Sequence, residues 1–321
     1  MAFTYTEAQA LWYLHLTAQQ ESAYDSFRAH LDSTGALLPG HDDKYTLLRF
    51  LKARQWDTPK ATLMYTGMVA WRKKEDVDGL YNSLHFPELD AVLPVYPHFY
   101  HKLDKFGRPV YIEQVGKTDC AKILSLTSEE KIVKYHIWTW ERFFKQLAPA
   151  CSEMAGKPII TCTVIIDLEG LGLSNFSTAA RKLLTLLSHI DQDYYPESLG
   201  VMFIINTPFI FKTIWAFVNP MLEERTRKKI HVLGMDYQKT LAEVIDHDSL
   251  LECFGGASRG APSKVSDGPW VSHPMVTASR WLPDDLPEPT KLSEAASLPE
   301  PAADNGVTVT AGVPHSLSDA R

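Results

Sequence analysis

Two short segments of this chain have residue types that could bind the phosphates of a nucleotide. Residues 116–118 are the Gly-Lys-Thr that closes a P-loop, but Tyr111 stands where that loop needs its first glycine. Residues 170–175 follow a predicted strand and precede a predicted helix, as a dinucleotide fingerprint does, but Asn175 replaces its third glycine. We therefore predict no nucleotide site and expect an ordinary strand-to-helix turn at residues 170–175.

Histidine and cysteine spacing predicts neither a metal site nor an activated nucleophile. His98 and His101 are three apart on a predicted strand, so their side chains point to opposite faces of it. The four cysteines form no Cys-x-x-Cys pair, which is typical of a reduced, intracellular chain without zinc. The sequence also has no Gly-x-Ser-x-Gly nucleophile motif. We predict no catalytic residue, no metal and no cofactor.

The most distinctive segment is apolar and aromatic. Eight of the ten residues 209–218 are apolar, and four of those are aromatic. On a helix, Lys212, Thr213 and Ala216 share one narrow stripe, and the apolar residues cover an arc of about 160°. Prolines at 208 and 220 flank the segment. The pattern predicts either a buried core helix or a helix that lines an apolar cavity or touches a membrane.

The elements that must position this segment alternate between strand and helix. Apolar and β-branched runs predict a hairpin at 99–115 and buried strands at 159–167, 201–206 and 230–233, with helices predicted at 128–147, 176–193, 209–218 and 237–245. Thr127 with Glu130 predicts a capping box for the first of these helices, and Asp236 predicts the cap of the last. The succession predicts an α/β protein with a largely parallel sheet flanked by helices.

Composition and charge exclude several classes of protein. With 45% hydrophobic and 22% charged residues, the chain is expected to fold around a sizeable core. The net charge is −7, and residues 283–321 hold seven acids and two bases, so the rest is nearly neutral and predicts no nucleic-acid partner. We expect no signal peptide and no membrane span. The aromatic-free end of the chain predicts a disordered tail.

Several motifs in chain order resemble those of one known family. They are residues 48–54 (Leu-Arg-Phe-Leu-Lys-Ala-Arg), 96–102 (Tyr-Pro-His-Phe-Tyr-His-Lys), 104–111 (Asp-Lys-Phe-Gly-Arg-Pro-Val-Tyr), 167–170 (Asp-Leu-Glu-Gly), 193–197 (Asp-Tyr-Tyr-Pro-Glu), 204–209 (Ile-Ile-Asn-Thr-Pro-Phe), 254–256 (Phe-Gly-Gly) and 268–270 (Gly-Pro-Trp). Together they resemble the CRAL-TRIO lipid-binding family, and within it the fungal phosphatidylinositol/phosphatidylcholine transfer proteins.

The resemblance implies a CRAL-TRIO fold that encloses one phospholipid. It implies four parts: an all-helical N-terminal module at 1–75, the lipid-binding domain at 88–258, a C-terminal extension at 259–281, and the disordered acidic tail at 282–321. It also implies that residues 209–218 are a gate over the cavity. The gate and cavity residues would be Phe209, Phe211, Ile214, Trp215 and Phe217.

The resemblance also implies two headgroup regions. Residues that match the phosphatidylinositol site are Arg54, Glu197, Thr226 and Lys229, with Glu197 paired to the lysine. Gln55 departs from the basic residue that is usual in this subfamily.

For the second lipid, the matching positions are Tyr100, Tyr111, Cys162 and Val164. The family has hydroxyl side chains at the last two positions. Their loss leaves lipid phosphate oxygens short of donors, so phosphatidylcholine is expected to be weakened or replaced by another lipid.

The implied function is lipid exchange in the cytosol. A monomer would bind phosphatidylinositol and a second lipid, visit membranes such as Golgi or endosome, and present its lipid to a phosphatidylinositol kinase. Two alternatives stay open: a carrier of a sterol, tocopherol or retinoid, and a lipid-sensing scaffold for a lipid kinase.

Overall fold

The computed structural model describes residues 3–259 and 266–277. The α-helices within these ranges are α1 (Glu7–Ala10), α2 (Ala18–Ser33), α3 (Lys44–Ala53), α4 (Thr58–Lys74), α5 (Val77–Ser83), α6 (Leu89–Val92), α7 (Cys120–Leu126), α8 (Glu129–Arg142), α9 (Ala148–Ala155), α10 (Thr178–Tyr194), α11 (Phe211–Val218), α12 (Glu224–Arg227), α13 (Gln238–Ala242) and α14 (Pro274–Thr277). The strands are β1 (His98–Leu103), β2 (Pro109–Glu113), β3 (Cys162–Asp167), β4 (Leu199–Ile205), β5 (Ile230–Val232) and β6 (Ser266–Asp267).

One sheet joins the six strands in the order β5-β4-β3-β2-β1-β6. Every neighbouring pair is parallel except the β1–β2 hairpin. Because β3 and β4 are rich in β-branched residues, they suit the centre of a sheet that is covered on both faces. This confirms the predicted α/β fold with a largely parallel sheet.

The two faces of the sheet are packed differently. On one face, apolar side chains of β2, β3 and β4 are sealed against the segment around α13, with Ile165, Val201, Phe203 and Ile205 fully buried. On the other face, Tyr111, Ile166 and Met202 keep accessible surface although they lie on central strands and pack against side chains of the covering helices. Surface that persists in the middle of a covered sheet indicates an incompletely filled interior space on that face.

Helical segments cover the second face. The predicted helix at 128–147 ends as an α-helix at Arg142 and continues through a π-helical turn, Phe143–Leu147, into α9. Pro149 lies in the first turn of α9 and has no N–H to donate, which explains the wider turn before it. The predicted cap was wrong: Ser128, not Thr127, accepts the Lys131 N–H.

The prediction for α13 was also wrong at its start. Its N-cap is Tyr237, which makes no side-chain cap bond, so Asp236 does not cap the helix.

The described residues before β1 are helical. Asp43 caps α3 through the N–H groups of Tyr45 and Thr46, and Asp57 caps α4 ahead of Pro59. Both caps match sequence preferences at helix starts. The helical N-terminal part is therefore present, whereas the four domain boundaries stay predictions. The tail at 282–321 lies outside the described residues, as does part of the extension at 259–281.

Candidate functional site

The four residues predicted for a headgroup come together at one end of the sheet. Lys229, just before β5, lies with its Nζ 2.8 Å from Glu197 Oε2 and 2.7 Å from the Leu199 carbonyl. Arg225 Nε lies 3.1 Å from the other carboxylate oxygen of Glu197. Arg54, at the end of α3, is linked to Arg225 through the carboxylate of Glu223, which pairs with both guanidinium groups.

Thr226 lies inside this cluster on α12. Its N–H bonds to the Glu223 carbonyl at 2.9 Å, and its own carbonyl accepts the Lys229 N–H at 3.0 Å. Its side chain is half-buried. Thr226 therefore lies on the short backbone turn that connects Glu223 to Lys229.

The buried Glu197 carboxylate holds the basic side chains of this cluster in place. The residue has φ of +57°, an uncommon conformation for a glutamate, and its side chain is 1% exposed. Burial raises its pKa, but Lys229, Lys52 and Arg225 outweigh that effect and hold the pKa below the usual value. Glu197 is therefore ionised and positions Lys229.

Sequence analysis missed two cations of this cluster. Arg225 supplies a second guanidinium beside Arg54, while Gln55 is exposed. Lys52 lies on α3 with its Nζ 3.6 Å from the Trp12 ring centroid. Burial lowers the pKa of Lys52 to about 7, and Lys229 contributes to the lowering while Glu197 opposes it. Lys52 lies within the 48–54 motif, which was the available signal.

The charges in the cluster favour an anionic ligand. The basic side chains are Lys52, Arg54, Arg225 and Lys229, and the acidic ones are Glu197 and Glu223. Four cations and two carboxylates leave two excess positive charges when Lys52 is protonated, and one when Lys52 is neutral. A phosphate ester that enters the cluster would find charge-assisted donors in guanidinium and ammonium groups.

The residues predicted for the second headgroup share the incompletely filled face of the sheet. Tyr100, Tyr111 and Val164 are register neighbours across β1, β2 and β3, and the two tyrosine rings lie 5.1 Å apart. Cys162 is buried two residues before Val164. Burial raises the pKa of the Cys162 thiol to about 12 and the pKa of both tyrosines well above 10, so all four side chains are uncharged.

A polar cluster beside this region was not predicted. Asp191 Oδ1 accepts from Trp140 Nε1 at 2.7 Å and lies 2.6 Å from His136 Nε2. Glu113 follows Tyr111 on the same face of β2, and burial raises its pKa to about 7, with His136 and a bond from Tyr111 opposing the rise. Because these residues come from β2, α8 and α10, no sequence spacing connects them.

The predicted gate is an amphipathic helix that lies against the sheet. Phe211 and Ile214 of α11 are 8% and 9% exposed and pack on Leu168, Leu171 and Ile204. Its opposite side is the predicted stripe of Lys212, Thr213 and Ala216, which is exposed.

The remaining predicted gate residues differ in burial. Trp215 and Phe217 are half-buried, and Phe217 meets the ring of Phe176 at 5.4 Å. Phe209 is 87% exposed and precedes the helix. Hence α11 covers the interior space with one face and contacts solvent with the other.

Outside these regions, the described structure has a further cavity, and side chains that could bind a metal already have protein partners. A cavity of about 610 Å³ lies between α3, α4 and the α8–α9 segment, and its lining includes neither the Lys229–Glu197 pair nor α11. In the described residues, His41, Asp78 and Glu141 approach metal-ligand spacing, but Arg72 pairs with both carboxylates. His98 and His101 bond to different residues, Tyr135 and Ser258.

Two protein-family models match this chain, one over the N-terminal helices and one over the sheet with its covering helices. The CRAL/TRIO domain model matches residues 94–256, and the CRAL/TRIO N-terminal domain model matches residues 23–67. This chain belongs to the CRAL/TRIO family. The CRAL/TRIO match spans the whole sheet except β6, and it includes Glu197, Lys229 and α11.

Curated relatives of this CRAL/TRIO protein include transfer proteins. The phosphatidylinositol/phosphatidylcholine transfer protein SFH12 of Arabidopsis thaliana is 43% identical over 79% of this chain and 47% of the relative. The SEC14 cytosolic factor of Kluyveromyces lactis is 37% identical over 80% of this chain and 86% of the relative. This chain thus spans about half the length of the plant relative and most of the yeast one.

A solved structure supports the fold alone. The crystal structure of Sfh5 matches with a TM-score of 0.59 at 18% identity, covering 76% of this chain and 89% of that one. Among the described residues of this CRAL/TRIO protein, no helix combines the length and apolar character that a bilayer span requires.

Proposed function

We propose that this chain is a phospholipid transfer protein that binds phosphatidylinositol and a second lipid and exchanges them between membranes. The observation that supports this most directly is the basic cluster around the Lys229–Glu197 pair. The same protein has a sheet face that keeps accessible surface beneath the short aromatic helix α11. The name of the Arabidopsis relative agrees with that activity.

The need for an enclosed site follows from the ligand's chemistry. Two acyl chains contain about 32 methylenes, and exposing them to water costs on the order of 25 kcal/mol. A carrier in water must therefore enclose the chains and open only at a membrane. Helix α11 has the required form, since its apolar face packs on the sheet side of the interior space. Exchange consists of opening, lipid replacement and closure, with no covalent step.

Headgroup selection rests on the cations of the cluster. Lys229 and Arg54 would contact the phosphodiester, Thr226 would bond to the inositol ring or phosphate, and Glu197 would hold Lys229 in place. Lys52 would add charge once a phosphate stabilises its protonated form.

The second headgroup region favours phosphatidylcholine less. Cys162 and Val164 offer no hydroxyl to a phosphate. We therefore propose that phosphatidylcholine binds more weakly than phosphatidylinositol, or that another lipid occupies this region. We also propose a monomer that works in the cytosol, visits Golgi or endosomal membranes, and presents phosphatidylinositol to a lipid kinase.

Vesicle-to-vesicle transfer of labelled phosphatidylinositol and phosphatidylcholine tests the proposal. Lys229→Ala should lower phosphatidylinositol transfer at least tenfold and leave phosphatidylcholine transfer nearly unchanged, because it removes one charged donor of the phosphatidylinositol cluster. Lys228→Ala is the matched control, since that lysine is exposed and pairs with Glu224. The double variant Cys162→Ser, Val164→Thr should raise phosphatidylcholine transfer.

Three results would contradict parts of this account. If Lys229→Ala lowered the transfer of both lipids equally, the assignment of this cluster to the phosphatidylinositol headgroup would be wrong. Equal transfer of both lipids by the unaltered protein would remove the weakened phosphatidylcholine site. If mass spectrometry of lipid extracted from the purified protein identified a sterol, tocopherol or retinoid, the protein would be a carrier of that hydrophobe and not of a phospholipid.

A further inference from the structure

The cavity of about 610 Å³ beside the N-terminal helices is separate from the proposed lipid-transfer site. Its lining includes the buried side chains of Arg49, Phe50, Ile159 and Ile160 and also exposed residues such as Glu153, so it runs from the surface into the interior. Sites for small molecules in proteins commonly have volumes of about 300–1,000 Å³. We call this space the side cavity.

Arg49 brings a buried positive charge to the side cavity. The residue is 5% exposed, and its guanidinium carbon lies 3.9 Å from the ring centroid of Phe144. Its Nη1 donates to the Pro196 carbonyl at 3.3 Å, and its other N–H groups have no acceptor among the described residues. Burial lowers the pKa of Arg49 to about 10, with Asp43 and Glu141 opposing, so the group stays charged at pH 7. Buried charges are normally paired, and this one lacks a carboxylate partner.

The other charged side chains of the lining already have partners. Arg72 and Lys145 pair with Glu141, Lys157 pairs with Glu7, Glu153 lies 3.4 Å from His273, and Asp43 accepts the N–H groups of Tyr45 and Thr46. His41 is neutral at pH 7, because burial lowers its pKa to about 4. Among the described lining residues, Arg49 is thus the charge that a ligand with one negative charge would match.

The rest of the wall favours an apolar ligand body. Phe144 lies on the π-helical turn after α8, and Pro149 lies in the first turn of α9. Met68 of α4 and the buried Ile159 and Ile160 add further apolar surface. An apolar chain gains free energy when it leaves water for such a wall, while a guanidinium can donate two parallel N–H groups to one carboxylate.

We propose that the side cavity binds one long-chain monocarboxylate, with its carboxylate on Arg49 and its acyl chain along the apolar wall. A neutral hydrophobe would leave the guanidinium unpaired, and a phosphate monoester would bring almost two charges to one cation. This inference does not rest on the proposed transfer function, because the side cavity is lined neither by the cations of the headgroup cluster nor by α11.

The side cavity adjoins the headgroup cluster through the backbone. Arg49 donates to the carbonyl of Pro196, the residue before Glu197, and α3 carries both Arg49 and Lys52. A carboxylate on Arg49 therefore binds where the N-terminal helices meet the segment that holds Glu197. Since the ligand binds the folded state, it should also raise the melting temperature of the protein.

The test uses the full chain, preloaded with phosphatidylinositol and titrated with palmitate. Native mass spectrometry should show one palmitate bound in addition to the phospholipid. Hexadecanol, which has the same chain without the charge, should bind at least tenfold more weakly. A photoreactive diazirine analogue of palmitate should label peptides that contain Phe144 or Ile159 rather than Tyr111 or Met202 on the sheet face.

Two variants test the residues that form the side cavity. Arg49→Met should weaken palmitate binding at least tenfold and leave hexadecanol binding nearly unchanged, because it removes the charge and keeps the length of the side chain. Arg28→Met is the matched control, since Arg28 is exposed and donates to the Asp42 carbonyl. Thr46→Phe keeps Arg49 but fills part of the side cavity, so it should weaken the binding of both ligands. Circular dichroism checks that each variant is folded.

Four results would overturn the proposal. They are palmitate that binds only by displacing phosphatidylinositol, photolabelling confined to the sheet face, hexadecanol that binds as tightly as palmitate, and Thr46→Phe that binds palmitate as the unaltered protein does. If the protein never loads phosphatidylinositol but the palmitate analogue still labels the side cavity, the proposed transfer function is wrong and the side cavity remains a carboxylate site.

Discussion

We predict that Lys52 makes phosphatidylinositol binding at the proposed headgroup cluster depend on pH. An ordinary lysine titrates near 10.5, but burial, together with the charge of Lys229, lowers the pKa of Lys52 to about 7, with Glu197 opposing. A bound phosphate stabilises the protonated form, so binding takes up a proton above pH 7. We predict that affinity for phosphatidylinositol falls about tenfold from pH 6 to pH 8, measured by lipid loading at a series of pH values.

Lys52→Arg is the discriminating variant for this prediction. A guanidinium stays charged across the range, so its affinity should be nearly constant between pH 6 and pH 8. Lys60→Arg, at an exposed lysine paired with Asp57, should keep the decline of the unaltered protein. A decline that persists in Lys52→Arg would assign the titration to another group.

At this scale the sequence could indicate which residues lie close together, but not their protonation states. Arg54, Glu197, Thr226 and Lys229 belong to recognisable segments, and the fold brings them together. The depressed pKa of Lys52 depends on burial by another element, which no motif encodes.

Helix α11 is the element whose packing should set the exchange rate. Ile214 is 9% exposed and contacts the cluster of Leu168 and Ile204, so Ile214→Ala removes apolar contact worth about 2–4 kcal/mol from the closed position. We predict at least tenfold faster amide hydrogen exchange in α11 and faster spontaneous lipid loss, because this packing is lost locally on opening. Mass-spectrometric hydrogen exchange measures the first quantity.

Thr213→Ala is the control on the same helix. Thr213 is exposed, so its replacement should change neither the exchange of α11 amides nor lipid loss. If Ile214→Ala lowered the melting temperature of the whole protein while α11 exchanged as before, the helix would be a fixed part of the core.

Elements were predicted well where one local signal decides them. The β-branched run that became β3 is decided by neighbours in sequence. The division of the predicted 128–147 helix depends on Pro149, which lies beyond its predicted end. Whether residues 211–218 cover a core or a cavity depends on how completely the sheet face beneath is filled.

For the whole molecule, a buried ion pair forms a joint between the N-terminal helices and α8. Arg72 of α4 donates to both carboxylate oxygens of Glu141 on α8 at 2.6 and 2.9 Å, and both residues are almost fully buried. The Tyr195 hydroxyl donates to the same carboxylate at 2.8 Å, two residues before Glu197. The joint therefore connects the N-terminal helices to the segment that carries the headgroup cluster.

Removing one partner of this pair should destabilise the entire described unit. Arg72→Met leaves the Glu141 carboxylate buried with only Lys145 and Tyr195 as partners, which should lower the free energy of unfolding by about 3–5 kcal/mol. Lys73→Met, at the exposed neighbour, should have almost no effect. Thermal unfolding monitored by circular dichroism compares the two variants.

The pH dependence provides a second test of the same joint. Burial raises the pKa of Glu141, but Arg72, Lys145 and Tyr195 outweigh it, so the folded pKa lies below the ordinary 4.5. A carboxyl whose pKa falls on folding stabilises the protein above its unfolded pKa and loses that contribution as pH falls through the folded one. The difference in stability between Arg72→Met and the unaltered protein should therefore be full at pH 7 and shrink below pH 4.5. A difference that stayed constant into acid would mean that the arginine acts through its packing rather than through its charge.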